Sequence, residues 1–207
     1  MPVRDRRHWW AVVDVVGGVV PRPTRENNRS RQLLDAAAEL FAERGYTATT
    51  VRDVTGAVGM GPGSSYYHFR TKADLLLAVY QRGVAEVDAS VDRCLGEASD
   101  DPWDRIEAAT VGHIEAVLAP SPYARVIVSV LPENVPELVD ELRDAREGYE
   151  DRWRGLIGDL DLPVDATVFR LLVLGAANST QLWYREGRRS PSEIARTLVA
   201  IARDPMV

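Results

Sequence analysis

Residues 59–69 read Gly-Met-Gly-Pro-Gly-Ser-Ser-Tyr-Tyr-His-Phe, three glycines and a proline leading through two hydroxyls into four ring-bearing side chains. Two chemistries fit such a run. Closely spaced glycines can wrap a phosphate with main-chain N–H groups. Alternatively, small residues can strip the leading end of a short helix of bulk, so that its backbone presses against a partner. A dinucleotide loop must follow a strand, and a Walker loop needs Gly-Lys-Ser/Thr. This run has no Lys and follows a segment of helical period. Elsewhere, catalytic chemistry finds no support. His8, His68 and His113 are scattered, with neither H-E-x-x-H nor G-x-S-x-G spacing, and Cys94 has no evident activating neighbour. The expectation is a binding protein, not an enzyme, with no metal and no cofactor.

The elements that position this run are helical. Leu33, Ala37, Leu40 and Phe41 recur at helical spacing over about Asn28–Arg44, and Gly45 follows as a stop. Thr50 and Asp53 form a capping box that opens a helix of two turns, with Val51, Val54 and Val58 as its buried stripe and Gly59 at its end. Gly61 then stands as N-cap and Pro62 at the first helical position, for a short helix to about His68. Thr71 and Asp74 cap a long amphipathic helix reaching about Gly96. Further helices start at Asp101-Pro102, at Ser121-Pro122, after Pro132–Pro136, over residues 164–184, and at Ser190-Pro191. No strand alternation persists. The fold class is all-α, with about nine helices.

Two short helices joined by a tight turn and clamped by longer ones make a helix-turn-helix, whose second helix enters the DNA major groove. In that reading Gly61, Pro62, Gly63 and Ser64 let the backbone approach the base edges. Ser64 and Ser65 offer hydrogen bonds there, Tyr66, Tyr67 and His68 reach phosphates, and Phe69 returns to the core. Thr50 and Lys72, at helix starts, are placed to hold phosphates.

Charge agrees. The chain of 207 residues has net charge −6, yet residues 1–82 carry 12 Lys/Arg against 8 Asp/Glu while the remainder carries 13 against 23. A basic first part suits a polyanion, and the acidic remainder argues against non-specific DNA packaging. At 45% hydrophobic and 27% charged residues the composition is that of a globular protein, long enough to bury a core. One cysteine points to no disulfide, and no apolar run suits a membrane span, so the expected location is the cytoplasm. Residues 1–24 superficially copy a signal peptide, but Asp14 interrupts the apolar stretch. They read as a disordered or loosely docked arm, or as an extension from an upstream start codon. A DNA-binding domain is expected over 25–72 and a ligand-binding and dimerisation domain over 73–207.

Over residues 33–80 the sequence resembles the tetracycline-repressor (TetR) family without a gap. "AAAELFAERGY", "TTVRDV", "YYHF" and "TKADLL" carry the likeness. The resemblance implies three N-terminal helices for DNA, with Thr50, Tyr66, Tyr67 and Lys72 on the backbone and Gly63 and Ser64 nearest the bases. Gly61 and Pro62 depart from the family's usual Ser/Thr and polar residue, so readout leans on Ser64, Tyr67 and DNA shape. The resemblance also implies a homodimer, formed here by the last two helices through the small face of Gly175, Ala176 and Ser179, and therefore a palindromic double-stranded operator. The tail "LGAANSTQLWYREGRRSPSEIA" is similar to that of members sensing acyl-CoA esters. It implicates Asn178, Trp183, Tyr184 and Arg185 in binding a small-molecule effector that releases a repressor from DNA. A repressor of an efflux pump, sensing lipophilic drugs, stays open beside it.

Overall fold

The computed structural model describes residues 25–61, 69–162 and 164–203. Among them it holds eight α-helices and no strand: α1 Arg25–Arg44, α2 Val51–Ala57, α3 Lys72–Glu97, α4 Pro102–Leu118, α5 Pro122–Ser129, α6 Val139–Gly158, α7 Ala166–Trp183 and α8 Pro191–Arg203. The expected helix over 62–68 and the arm 1–24 lie outside the described residues.

Helix boundaries follow the capping chemistry. Thr50 with Asp53 and Thr71 with Asp74 each make both hydrogen bonds of a capping box, and Asp101 and Asp165 accept from two main-chain N–H groups at the starts of α4 and α7. Each such cap is worth about 1 kcal/mol. Gly59 closes α2 at φ +65°, a left-handed turn that side chains resist. The segment expected to lead straight into a long helix instead forms two 3₁₀ turns, Pro132–Asn134 and Pro136–Leu138, and α6 begins only at Val139. Each proline fits the first position of a short turn but cannot donate into a preceding one.

Packing joins two ends of the molecule along α3. Leu75, Leu76, Val79 and Tyr80 share a buried cluster with Leu33, Ala37 and Phe41 of α1, Val54 of α2, and Val126, Leu138 and Leu142. Phe69 packs against the same cluster, as its expected return to the core requires. Val91, further along α3, belongs to a second cluster with Ile106, Trp153, Ile157, Phe169 and Val173. Between the clusters α4 crosses α3 so closely that a Cβ on Gly112 would lie 2.6 Å from the Ser90 carbonyl oxygen. The next residue, His113, is turned instead toward Tyr149 of α6 and Asn178 of α7.

Candidate functional site

At the N-terminal end, α1, α2 and the start of α3 pack together as a head. Thr50 is exposed; its hydroxyl donates to Asp53 Oδ2 at 2.6 Å and accepts the Asp53 N–H at 3.2 Å. The hydroxyl's bond, with the Thr50 N–H donating to the same carboxylate oxygen at 2.8 Å, holds the Asp53 carboxyl below its ordinary range. Gly61 is exposed and open on its Cα. Pro62, Gly63, Ser64, Ser65, Tyr66, Tyr67 and His68 lie outside the described residues. Lys72 has a task that its sequence position did not reveal. Its ammonium donates to the carbonyls of Tyr46 at 2.8 Å and Thr49 at 3.0 Å, reaches Thr47 O at 3.5 Å, and stands 4.1 Å from the Tyr46 ring centroid. An ammonium has three donors and no acceptor, so these contacts turn the group inward and stitch the α1–α2 turn to α3. Tyr46 in turn donates to Glu137 at 3.0 Å; burial and that carboxylate push its phenol up to about 12. On the other side of the head, Tyr123 of α5 donates to Asp35 of α1 at 2.5 Å.

The second candidate site is a cavity of about 190 Å³ bounded by α3, α4, α5, α6 and α7. Val84, Val87, Ile127, Val128, Leu171 and Leu174 form its apolar wall, and Tyr80, His113, Arg146, Tyr149, Glu150, Arg170 and Asn178 its polar one. His113 is almost wholly buried, with Nδ1 at 2.5 Å from the Tyr149 hydroxyl and Nε2 at 3.0 Å from Asn178 Oδ1. A neutral imidazole, accepting from Tyr149 at Nδ1 and donating to Asn178 from Nε2, satisfies both. Burial, reinforced by the Arg146 charge, lowers its pKa to about 4 against the Asn178 bond, which raises it. Glu150 holds Arg170 at 3.0 Å.

The sign of the resulting pH dependence follows directly. Unfolded, His113 takes a proton near pH 6.5; folded, it stays neutral to about pH 4. Stability is therefore fully present above pH 6.5 and falls as the pH drops between those values, by about 3 kcal/mol in total. Denaturant melts of the parent and of His113→Gln across pH 7 to 4 are expected to converge with acidification, the parent losing more.

Of the four expected ligand residues, the structure brings only Asn178 to this cavity. Trp183 is half exposed, with Nε1 3.3 Å from Ser179 Oγ. Tyr184 packs on the cluster of Ile114, Ala177 and Ile194, and Arg185 is exposed. The three small residues expected at an interface divide similarly. Gly175 is exposed at the cavity rim, while Ala176 and Ser179 are half-buried and bonded to each other, Ser179 Oγ to Ala176 O at 2.7 Å. Beside them runs an uncovered apolar stripe of α7, with Val168, Leu171, Leu172, Leu182 and Trp183 between 50% and 83% exposed, joined by Ile201 of α8 at 55%.

Residues 33–79 match the family profile described as "Bacterial regulatory proteins, tetR family", and residues 99–206 match "Tetracyclin repressor-like, C-terminal domain". The second match alone spans half of the chain. The protein belongs to the TetR family. It is thus a DNA-binding transcription regulator built on the TetR fold, with an N-terminal helix-turn-helix and a C-terminal ligand-binding body, and not an enzyme. Among TetR relatives, the transcriptional repressor KstR2 of Rhodococcus jostii (strain RHA1) is 28% identical over 173 residues, covering 78% of this chain and 82% of its own. The transcriptional activator FasR of Mycolicibacterium smegmatis is 28% identical over 176 residues, covering 83% and 78%. A solved structure of AibR in complex with isovaleryl coenzyme A and operator DNA shares the fold at TM-score 0.70, 24% identity, and coverage of 84% and 98%. No helix among the described residues is long and apolar enough to cross a membrane.

Proposed function

We propose that this TetR-family protein is a dimeric repressor that binds a palindromic operator and leaves it when an acyl-CoA-type effector occupies the cavity between α3 and α7. The observation that carries the reading is where the cavity lies. Tyr80, Val84 and Val87 of its wall sit on the helix whose first turn, through Lys72, fastens the DNA head. A ligand that fits better when α3 is tilted would spread the two heads, and DNA would lose affinity by the ratio of the two ligand affinities. A hundredfold release needs about 2.7 kcal/mol of differential binding, an ordinary coupling. The DNA face in this reading comprises Thr50, residues 61–68 and the turn that Lys72 holds, within a head over 25–72, while residues 73–207 bind effector and pair with the second copy.

One structural neighbour supports the acyl-CoA class, since AibR was solved with isovaleryl coenzyme A. The wall supports it independently. Arg146 and Arg170 face Glu150 there, a balance that favours an electron-rich ligand over the lipophilic cations of an efflux regulator. Thermal-shift screening separates the two classes, because a ligand at a hundred times its Kd adds about 2.7 kcal/mol. Acyl-CoA esters are expected to raise the melting temperature and lipophilic cations to leave it unchanged; the reverse pattern would reassign the effector.

A further inference from the structure

Two polar groups that face each other on the cavity wall make no hydrogen bond or ion pair of ordinary geometry among the described residues. Tyr80 is wholly buried and its hydroxyl lacks a close partner; burial raises its pKa, and the nearby Arg146 guanidinium opposes that rise without closing to an ordinary hydrogen bond. Arg146 takes part in none of the ion pairs, although Arg143, Arg152 and Arg154 on the same helix pair with Glu133, Asp88 and Glu150. Arg146 also lines an open groove of about 540 Å³ along α6, so it stands where that groove meets the cavity.

An orphaned hydroxyl in the interior is costly, and native proteins keep one where something else supplies the bond. A guanidinium can only donate, and a phenol beside it can donate as well, so the pair asks for an acceptor oxygen. The other polar groups of the wall are already satisfied, His113 by Tyr149 and Asn178, and Arg170 by Glu150. Size narrows the ligand further. A dry cavity of about 150 Å³ holds one benzene, so about 190 Å³ matches a buried group of on the order of six to eight non-hydrogen atoms.

Building on the effector reading above, we propose that Tyr80 and Arg146 form an acceptor-oxygen site on the inner wall of the cavity, selecting a short acyl group whose carbonyl or carboxylate oxygen lies between phenol and guanidinium. The same oxygen can come from a coenzyme A thioester, its remainder lying along the α6 groove, or from a free short-chain carboxylate.

Calorimetric titration of the full chain with isovaleryl-CoA, isovalerate and palmitoyl-CoA tests this. Either short probe is expected to bind, and palmitoyl-CoA to bind more weakly; thioester-only or acid-only binding decides the oxygen's source. Tyr80→Phe and Arg146→Gln should each weaken the short probe about tenfold or more. Without ligand, Tyr80→Phe should melt no lower than the parent, because it removes an orphaned group. Unchanged affinity in both variants, tighter palmitoyl-CoA binding, or no binding of either short probe would overturn the assignment. Tyr80-dependent binding that leaves operator affinity unchanged would keep the oxygen site and remove the release mechanism; operator release indifferent to Tyr80 and Arg146 would do the opposite.

Discussion

Replacing Leu172 and Leu182 together by glutamate is expected to yield a folded monomer whose affinity for a palindromic site falls on the order of a hundred- to ten-thousand-fold. Both side chains are mostly exposed, at 57% and 83%, so the substitution removes little burial within the chain and should leave its melting temperature nearly unchanged. On α7 the positions 168, 172, 175, 179 and 182 return to one face every three or four residues. That face carries large aliphatic side chains around Gly175, where a Cβ would meet nothing beyond its own helix. An uncovered apolar surface of this kind, with a small residue at its centre, fits a copy of itself across a two-fold axis. In such a dimer the two heads read one operator together, and the second contact is intramolecular; separating the copies forfeits that avidity. Glutamates facing their symmetry mates would oppose pairing by like-charge repulsion as well as lost burial. Sedimentation and operator titration of the double variant check both halves. A variant that stays dimeric would move the interface elsewhere.

The second large effect concerns Lys72→Met. The sequence alone placed this lysine among phosphate contacts, whereas the ammonium is committed to the Tyr46 and Thr49 carbonyls. The two roles predict different outcomes. A lost phosphate contact weakens all DNA sequences alike and lowers the salt slope by about one, with stability unchanged. A lost stitch leaves carbonyls short of a charged donor, costing about 2 kcal/mol, and frees the turn that sets α2 against α3. We expect the second pattern: a lower melting temperature, faster amide exchange over 45–49, and at least tenfold weaker operator binding with the salt slope retained.

The sequence revealed most where chemistry is local. Capping boxes at Thr50, Thr71 and Ser190 are read from residues three apart, and each forms in the structure. The buried face of α6, formed by Leu142, Trp153 and Ile157, was less legible, because only its start after Pro132–Pro136 carries a local signal. Of the cavity, the sequence pointed only to Asn178, through the resemblance of its tail. The cavity's polar wall joins His113 to residues 36 and 65 positions away, and nothing in either neighbourhood marks the partnership. One signal was present. His113 falls on the stripe of Ile106, Ala109, Thr110 and Val117, and an ionisable group on a buried face needs a partner. Resemblance in the tail drew attention to Trp183, which keeps the pattern of acyl-CoA-sensing members, and to Arg185 as a cation for phosphates, yet neither lines the space that Asn178 faces.

The central claim is that the cavity and the DNA head are coupled through α3. Its most direct test is the affinity of the full chain for the palindrome recovered by in-vitro selection, with and without saturating isovaleryl-CoA. The account predicts an affinity at least tenfold weaker with ligand present; saturable binding of the ligand in the cavity with operator affinity unchanged would contradict it.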